Sequence, residues 1–344
     1  MRILVTGGAG YIGSHAAQHL IKGGHDVVIV DNLVRGHEAA VDRLRGSLEP
    51  DAASRLSFVR ADIADRTVME GALRETGVEA VMHFAALAYV GESALDPLLY
   101  HANNTGAAVE LLRACDAAGV KRFVFSSTCA TYGEPGEVPI PETEKQEPIN
   151  PYGWSKLHLE RALRDYAAAC RASGRDFAYA SLRYFNVAGA DRSGVLGEWH
   201  DPETHLIPIV LMAALGRRSR VTIFGTDYDT PDGTCIRDYI HVEDLARAHA
   251  VVLGALQAGD ERVYNLGIGR GYSVREVIEA AKRVTGRSIE AEESDRRPGD
   301  PPVLYADPTK IKDETGWSAN VTDLDEIIAS AWRWFEANPN GYAD

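Results

Sequence analysis

The chain has 344 residues, with 36 Lys and Arg against 50 Asp and Glu, a formal net charge of −14. At 45% hydrophobic and 25% charged residues, it has a globular composition and is not a disordered chain. The acidic balance, with no Lys/Arg stripe, argues against nonspecific nucleic-acid binding and against attraction to anionic lipid. Any phosphate it binds must therefore be met by local devices. The length predicts about two domains. Cys115, Cys129, Cys170 and Cys235 stand far apart with no C-x-x-C pair, which fits a reducing compartment and no structural metal. The chain starts MRILVTGG without a leader pattern, and no stretch approaches the roughly 18–20 apolar residues of a membrane span. The expectation is a soluble, cytoplasmic protein.

Through residue 190, short β-branched runs alternate with helical patterns. Strands are predicted at Ile3–Thr6, Val27–Asp31, Leu56–Arg60, Ala80–Phe84, Arg122–Ser126 and Ala178–Tyr184. Helices are predicted near 12–23, 66–76, 96–118 and 153–173. Apolar strands separated by helices read as a parallel sheet covered on both faces, a Rossmann-type doubly wound α/β fold. Further strands are predicted at Val221–Phe224, Tyr239–Val242 and Val263–Leu266, among helices near 206–216, 244–258 and 273–285. Pro and Gly concentrate in 133–151, 225–234 and 297–302, read as long functional loops. The C-terminal part is expected to be a smaller, loop-rich α/β region that binds substrate.

Gly7, Gly10 and Gly13 follow the first strand directly and open the first helix. This G-x-x-G-x-x-G spacing lets the chain turn tightly beside a pyrophosphate, whose charge meets free N–H groups at the helix N-terminus. Asp31 ends the second strand, 24 residues after Gly7. A carboxylate there accepts ribose hydroxyls and repels a 2′-phosphate, which favours NAD over NADP. Arg35 stands against that preference, since a guanidinium tolerates such a phosphate.

Ser126-Ser127-Thr128 closes a strand, and Tyr152 and Lys156 follow Asn150-Pro151. On a helix, residues i and i+4 share a face. A tyrosine works as a base near neutrality only if its phenolate is stabilised, and the Lys156 ammonium is expected to supply that field.

These residues resemble the extended short-chain dehydrogenase/reductase superfamily and, more closely, its UDP-glucose 4-epimerase family. The likeness rests on GGAGYIGSH (7–15), DNL (31–33), HFAALAYVGES (83–93), FSSTCATYGEP (125–135), PYGWSK (151–156), LRYFNVAGA (182–190), FGTDYDTPDGTCIRDYIHV (224–242), YNLG (264–267) and RRPGD (296–300), in order along the chain. It implies that Tyr152 is the acid/base on the sugar 4-hydroxyl, with Lys156 tuning it and Thr128 bonding the same hydroxyl. It implies tightly held NAD beside Tyr11, Ile12, Asn32, Asp62, Ile63, Phe84, Ala85, Ala86, Asn103, Ser126 and Tyr184. On the nucleotide-sugar side it implies Asn186, His205, Leu206, Thr222, Phe224, Arg237, Arg297, Asp300 and Leu304. Arg237 and Arg297 would grip the diphosphate, with Phe224 near the uracil. The implied reaction moves a hydride from sugar C4 to NAD and returns it to the opposite face of a 4-keto sugar. The implied division gives residues 1–186 and about 236–270 to NAD, and about 187–235 and 271–344 to the nucleotide sugar.

Sugar-nucleotide dehydratases share this pattern but place Asp-Glu after the Thr, where this chain has Cys129-Ala130. A non-enzymatic NAD-binding module would be expected to lose Tyr or Lys, and both are present. Three positions depart from the better-known pattern: Ala88, His205 and Leu304. His200 and His205 stand five apart in a stretch read as a solvated loop without a metal, and His15 and His19 are read as helix residues. Leu304 falls where a larger Tyr crowds the C2 substituent, so N-acetylhexosamines are expected to fit as well. UDP-pentose (xylose/arabinose) 4-epimerisation is the alternative. Surplus apolar positions on 96–118 and 153–173, with the resemblance, imply a homodimer.

Overall fold

The structure, a computed structural model, describes residues 1–297 and 299–342. Six strands in chain order, β1 (Arg2–Thr6), β2 (Asp26–Asp31), β3 (Leu56–Arg60), β4 (Ala80–His83), β5 (Arg122–Thr128) and β6 (Ala178–Tyr184), form most of the central sheet. With Glu261–Leu266 they make seven parallel strands, in the order Glu261–Leu266, β6, β5, β4, β1, β2, β3. The predicted strands match these to within two residues at either end. Side chains alternate across a strand, so each strand feeds two cores. Ile3, Val5, Val27, Ile29, Met82 and Val124 enter one, while Leu4, Val28, Val30, Val81, Phe123 and Phe125 enter the other.

On the first face lie α1 (Tyr11–Lys22) and the helix Val242–Ala255. The other face carries Arg66–Thr76, Ala107–Ala118 and Pro151–Ala172. The strand order reverses between β1 and β4, and loops following both strands border the same cleft. Such a switch point is where open α/β sheets take their ligands.

The single helix expected over 96–118 is instead three pieces. A turn of helix at Pro97–Tyr100 runs into a π-helix, His101–Gly106, and then into Ala107–Ala118. The widened turn presents Asn104, whose Nδ2 donates to Leu87 O at 2.9 Å and to Ser155 Oγ at 3.0 Å. Its Oδ1 accepts from Leu87 N at 2.8 Å. Long-range bonds thus set a local geometry that periodicity does not encode.

Smaller pairings lie outside the central sheet: Val221–Phe224 with Ala291–Ser294, Asn186–Ala188 with Tyr239–His241, and Ile236–Arg237 between Tyr272–Ser273 and Val303–Leu304. The C-terminal region is richer in helix than expected. Thr309–Thr315 and Leu324–Ala337 were not foreseen, and the latter packs against Val274–Thr285 and Leu206–Ala214. The segment 133–150 has no helix or ladder strand, yet it is pinned. Asn265 donates from N to Glu142 and from Nδ2 to Ile140 O, both at 2.7 Å, and Gln146 donates to Glu160 at 2.9 Å.

Candidate active site

One cleft of about 440 Å³ runs along the C-terminal ends of β1, β2, β4 and β5. Gly7, with φ +69°, adopts the left-handed conformation that disfavours a side chain. A Cβ there would stand 2.6 Å from Ala85 N, and one on Gly13 would stand 2.2 Å from Gly7 O. Gly10 caps α1 without any side-chain bond to the first turn. The helix start therefore presents bare N–H groups and the positive end of its dipole to the cleft. This glycine-lined cradle fits a pyrophosphate.

Asp31 lies at the lip of the same cradle. Its carboxylate accepts from Ala9 N at 3.1 Å and Leu33 N at 2.8 Å. Burial still pushes its pKa up from the usual value, against those two bonds. Asn32 donates to Asp62 at 2.9 Å across the adenosine end. Arg35, the residue that argued for a 2′-phosphate, is committed elsewhere. It pairs with Glu92 at 2.6 Å and lies over the Tyr89 ring at 4.8 Å. The residues fit NAD.

At the reacting end, Asn150 caps the helix Pro151–Ala172 by accepting from Gly153 N at 2.8 Å. That cap aims the first two turns, carrying Tyr152 and Lys156, at the cleft. Lys156 Nζ donates to Ser126 O at 2.9 Å and lies over the Phe125 ring at 5.0 Å. Burial drives its pKa down to about 7, with Glu160 opposing the fall. Burial, with Tyr184 adding to it and Thr128 opposing it, pushes the Tyr152 phenol well above the usual value. The lowered phenol pKa expected from the Tyr–Lys spacing is thus not a property of the protein alone. The cation of a bound nicotinamide ring would add to the field of the Lys156 ammonium there.

Behind this pair stands a buried polar network. Glu160 and Arg183 pair at 2.6 Å with both side chains 6% exposed. Glu160 also accepts from Ser127 at 2.6 Å, and Arg183 donates to Tyr132 at 2.8 Å. Burial raises Glu160, but Arg183 outweighs it and holds the carboxyl below the usual range. Sequence reading missed this pair, which no local motif announces.

The cleft lining gathers Gly7, Gly10, Tyr11, Ile12, Gly13, Asp31, Asn32, Asp62, Ile63, Phe84, Ala85, Ala86 and Asn103. It also gathers Thr128, Tyr152, Lys156, Tyr184, Asn186, His205, Asp300 and Leu304. Ser126 stands just behind it, its hydroxyl 2.8 Å from Tyr184 Oη. Leu206, Thr222, Phe224, Arg237 and Arg297 are off the lining. Arg237 pairs with Asp300, Thr222 bonds Glu292 at 3.3 Å, and the Arg297 guanidinium lies 3.8 Å over the Phe224 ring.

The stretch 198–205, read as a solvated loop, is the clearest departure. Glu198 and Glu203 are buried, and both face His200 and His205. Burial lowers the imidazole pKa of His200, but the two carboxylates outweigh it and raise it to about 10. Glu203 is held down at about 2 by the two histidines, which outweigh its burial. The alternation of acids and histidines was the signal. His15, by contrast, is the helix residue expected: its Nε2 accepts from Asp191 N at 3.1 Å, and burial lowers its pKa to about 4.

Residues 3–267 match the NAD dependent epimerase/dehydratase family. The chain is 49% identical to a UDP-glucose 4-epimerase of Streptococcus mutans, covering 100% of this chain and 99% of that protein. It is 47% identical to a probable UDP-arabinose 4-epimerase of Oryza sativa, over 99% of this chain and 83% of that one. The crystal structure of a Bifidobacterium longum UDP-glucose 4-epimerase in complex with NAD+ and UDP superposes with a TM-score of 0.93. That chain is 40% identical, with 99% and 100% of the two chains covered.

Proposed function

The chain belongs to the NAD dependent epimerase/dehydratase family, and from that premise we propose how its cleft epimerises a UDP-sugar at C4. The protein is an NAD-dependent UDP-glucose 4-epimerase that works through a transient 4-keto sugar. The observation that carries the assignment of roles is the placement of Tyr152 and Lys156, one helical turn apart, in the same cleft as the glycine cradle.

NAD, when bound, supplies the acceptor and then the donor of a hydride at C4. Tyr152 takes the proton of the 4-hydroxyl and later returns it. Thr128 holds that oxygen within reach of the phenol, both residues lying on the cleft lining. Lys156, anchored on Ser126 O, keeps a cationic field beside the phenolate that forms. No carboxylic side chain follows Thr128, where Cys129 and Ala130 stand, so elimination of water lacks its acid. The reaction has no net redox change, and the cofactor has no need to leave.

Inversion requires the sugar to present both faces, so binding must concentrate on the nucleotide. Arg237 and Arg297 are assigned to the diphosphate, Asp300 to positioning Arg237, and Phe224 to the uracil. Their present pairings, Arg237 with Asp300 and Arg297 on Phe224, keep these groups together next to the cleft. Residues 1–186 and about 236–270 then serve NAD, and about 187–235 and 271–344 serve the nucleotide sugar. Leu304 on the lining supports acceptance of N-acetylhexosamines, and the probable UDP-arabinose 4-epimerase relative supports a second reading in which pentoses are turned over.

A cytoplasmic homodimer completes the proposal. Leu95 and Leu98 are 89% and 78% exposed, Leu99 and Trp154 are exposed too, and all lie on or beside the helix Pro151–Ala172. Incubation with UDP-glucose, UDP-GlcNAc and UDP-xylose, separately and without added cofactor, tests the range through the C4 epimers formed. No epimer from any of them would overturn the function.

A further inference from the structure

Glu198, His200, Glu203 and His205 converge on one wall of the cleft, and their ligand atoms all lie within 4.8 Å of one another. We propose that these four side chains bind a zinc-class divalent cation, which clasps the segment 198–205 against the cleft.

The separations favour a cation over simple pairing. Charge-assisted N–H···O bonds run at about 2.7–2.9 Å. His200 Nδ1 instead stands 3.4 Å from both Glu198 Oε1 and Glu203 Oε2, the latter a long hydrogen bond, and His205 Nδ1 stands 3.2 Å from Glu198 Oε1. Ligands at about 2.0–2.2 Å from a tetrahedral zinc lie roughly 3.3–3.6 Å apart. Three of the four nitrogen–oxygen separations thus match or closely approach the edge of such a tetrahedron. The fourth, from His205 Nδ1 to Glu203 Oε1, is a hydrogen bond at 2.8 Å in which Nδ1 donates, and the cation would replace that proton. That oxygen also accepts from Thr204 N at 2.7 Å and His205 N at 2.8 Å, which leaves Oε2 as the ligand atom of Glu203. Two imidazoles and two carboxylates are a donor set suited to zinc, cobalt or nickel.

Tyr89 supplies an independent observation. It is 7% exposed, and its ring stands edge-on to His200 at 6.0 Å between centroids and tilted against His205 at 6.3 Å. Its hydroxyl is buried with no hydrogen-bond partner among the described residues. A polar atom left so beside the cluster calls for a group that is not protein, such as a metal-bound water. The backbone at the start of the segment is already fixed, Gly197 N donating to Tyr342 Oη at 2.9 Å. A cation would fix the remainder, and with it His205 on the cleft lining.

The test uses the full chain after dialysis against a chelator. Titration with Co²⁺ should give the visible bands of a tetrahedral site, and Zn²⁺ should remain at roughly one equivalent after desalting and raise the thermal midpoint in a concentration-dependent way. Glu203→Gln and His200→Gln should each abolish the Co²⁺ bands while the metal-free midpoint stays measurable. Absence of bands and of retained zinc in the wild-type protein overturns the proposal and leaves a proton-neutralised ion cluster. Unchanged Co²⁺ bands in both variants overturn it equally.

Discussion

Lys156 donates from Nζ to the main-chain oxygen of Ser126 across 2.9 Å, tying the helix Pro151–Ala172 to the end of β5. The ammonium is thereby held under the cleft floor, buried enough that its pKa falls to about 7. A charge so placed acts on whatever anion forms at Tyr152.

Lys156→Met should keep the fold and lose turnover by about 10²–10⁴, the range of a general acid–base contribution. Comparison of kcat for UDP-glucose in the two proteins checks it, with the NAD content of each measured alongside. Loss of less than about tenfold at full NAD occupancy would contradict the role.

Gly13→Ala places a Cβ 2.2 Å from Gly7 O, so the cradle must open. The variant is expected to retain little NAD through purification. Dinucleotide released on acid denaturation measures this directly, and wild-type content in the variant would contradict the reading of the loop.

Leu304 lies on the cleft and packs beside Tyr132, Ile140, Phe185 and Ala306. Leu304→Tyr adds volume where a C2 substituent is expected. The ratio of UDP-GlcNAc to UDP-glucose turnover should fall at least about tenfold, the scale of steric discrimination in a pocket. An unaltered ratio would remove Leu304 from substrate choice.

Burial, as the main cause, lowers four histidines: His15, His241 and His249 to about 4 and His83 to about 3. The native state keeps them neutral, while the unfolded chain protonates them below about 6.5. Unfolding near pH 5 therefore takes up protons on these four groups, and stability should fall by about 3 kcal/mol from pH 6 to pH 5, the Asp238 carboxyl, which burial raises to about 7, opposing the histidines. Above about pH 7 the histidines contribute no slope. Denaturant unfolding at pH 5, 6 and 8 tests the sign, and a flat profile between 5 and 6 would contradict it.

Much of this was legible because the informative features are local. The β1–glycine–α1 turn, Asp31 at the end of β2, and Tyr152 with Lys156 are each set by spacing within a few residues or one strand–helix unit. Part of what was missed depends on contacts distant in the chain. The π-helix His101–Gly106 forms around Asn104 bonds to Leu87 and Ser155. The Glu198–His205 cluster forms because the segment folds back on itself, bringing together residues that helical spacing would hold apart. The Tyr152 phenol is raised by burial, which no spacing reveals. Helix Leu324–Ala337 was legible too, with Leu324, Ile327, Ile328, Ala331, Trp334 and Phe335 at helical spacing behind an Asp323 cap, and was passed over.

The central claim is that one hydrogen leaves C4 and the same hydrogen returns to the other face. Wild-type protein in D2O, given UDP-galactose without added cofactor, should interconvert it with UDP-glucose, and proton NMR should find no solvent deuterium at C4. Deuterium at C4, or no interconversion by protein with full NAD, would contradict the account.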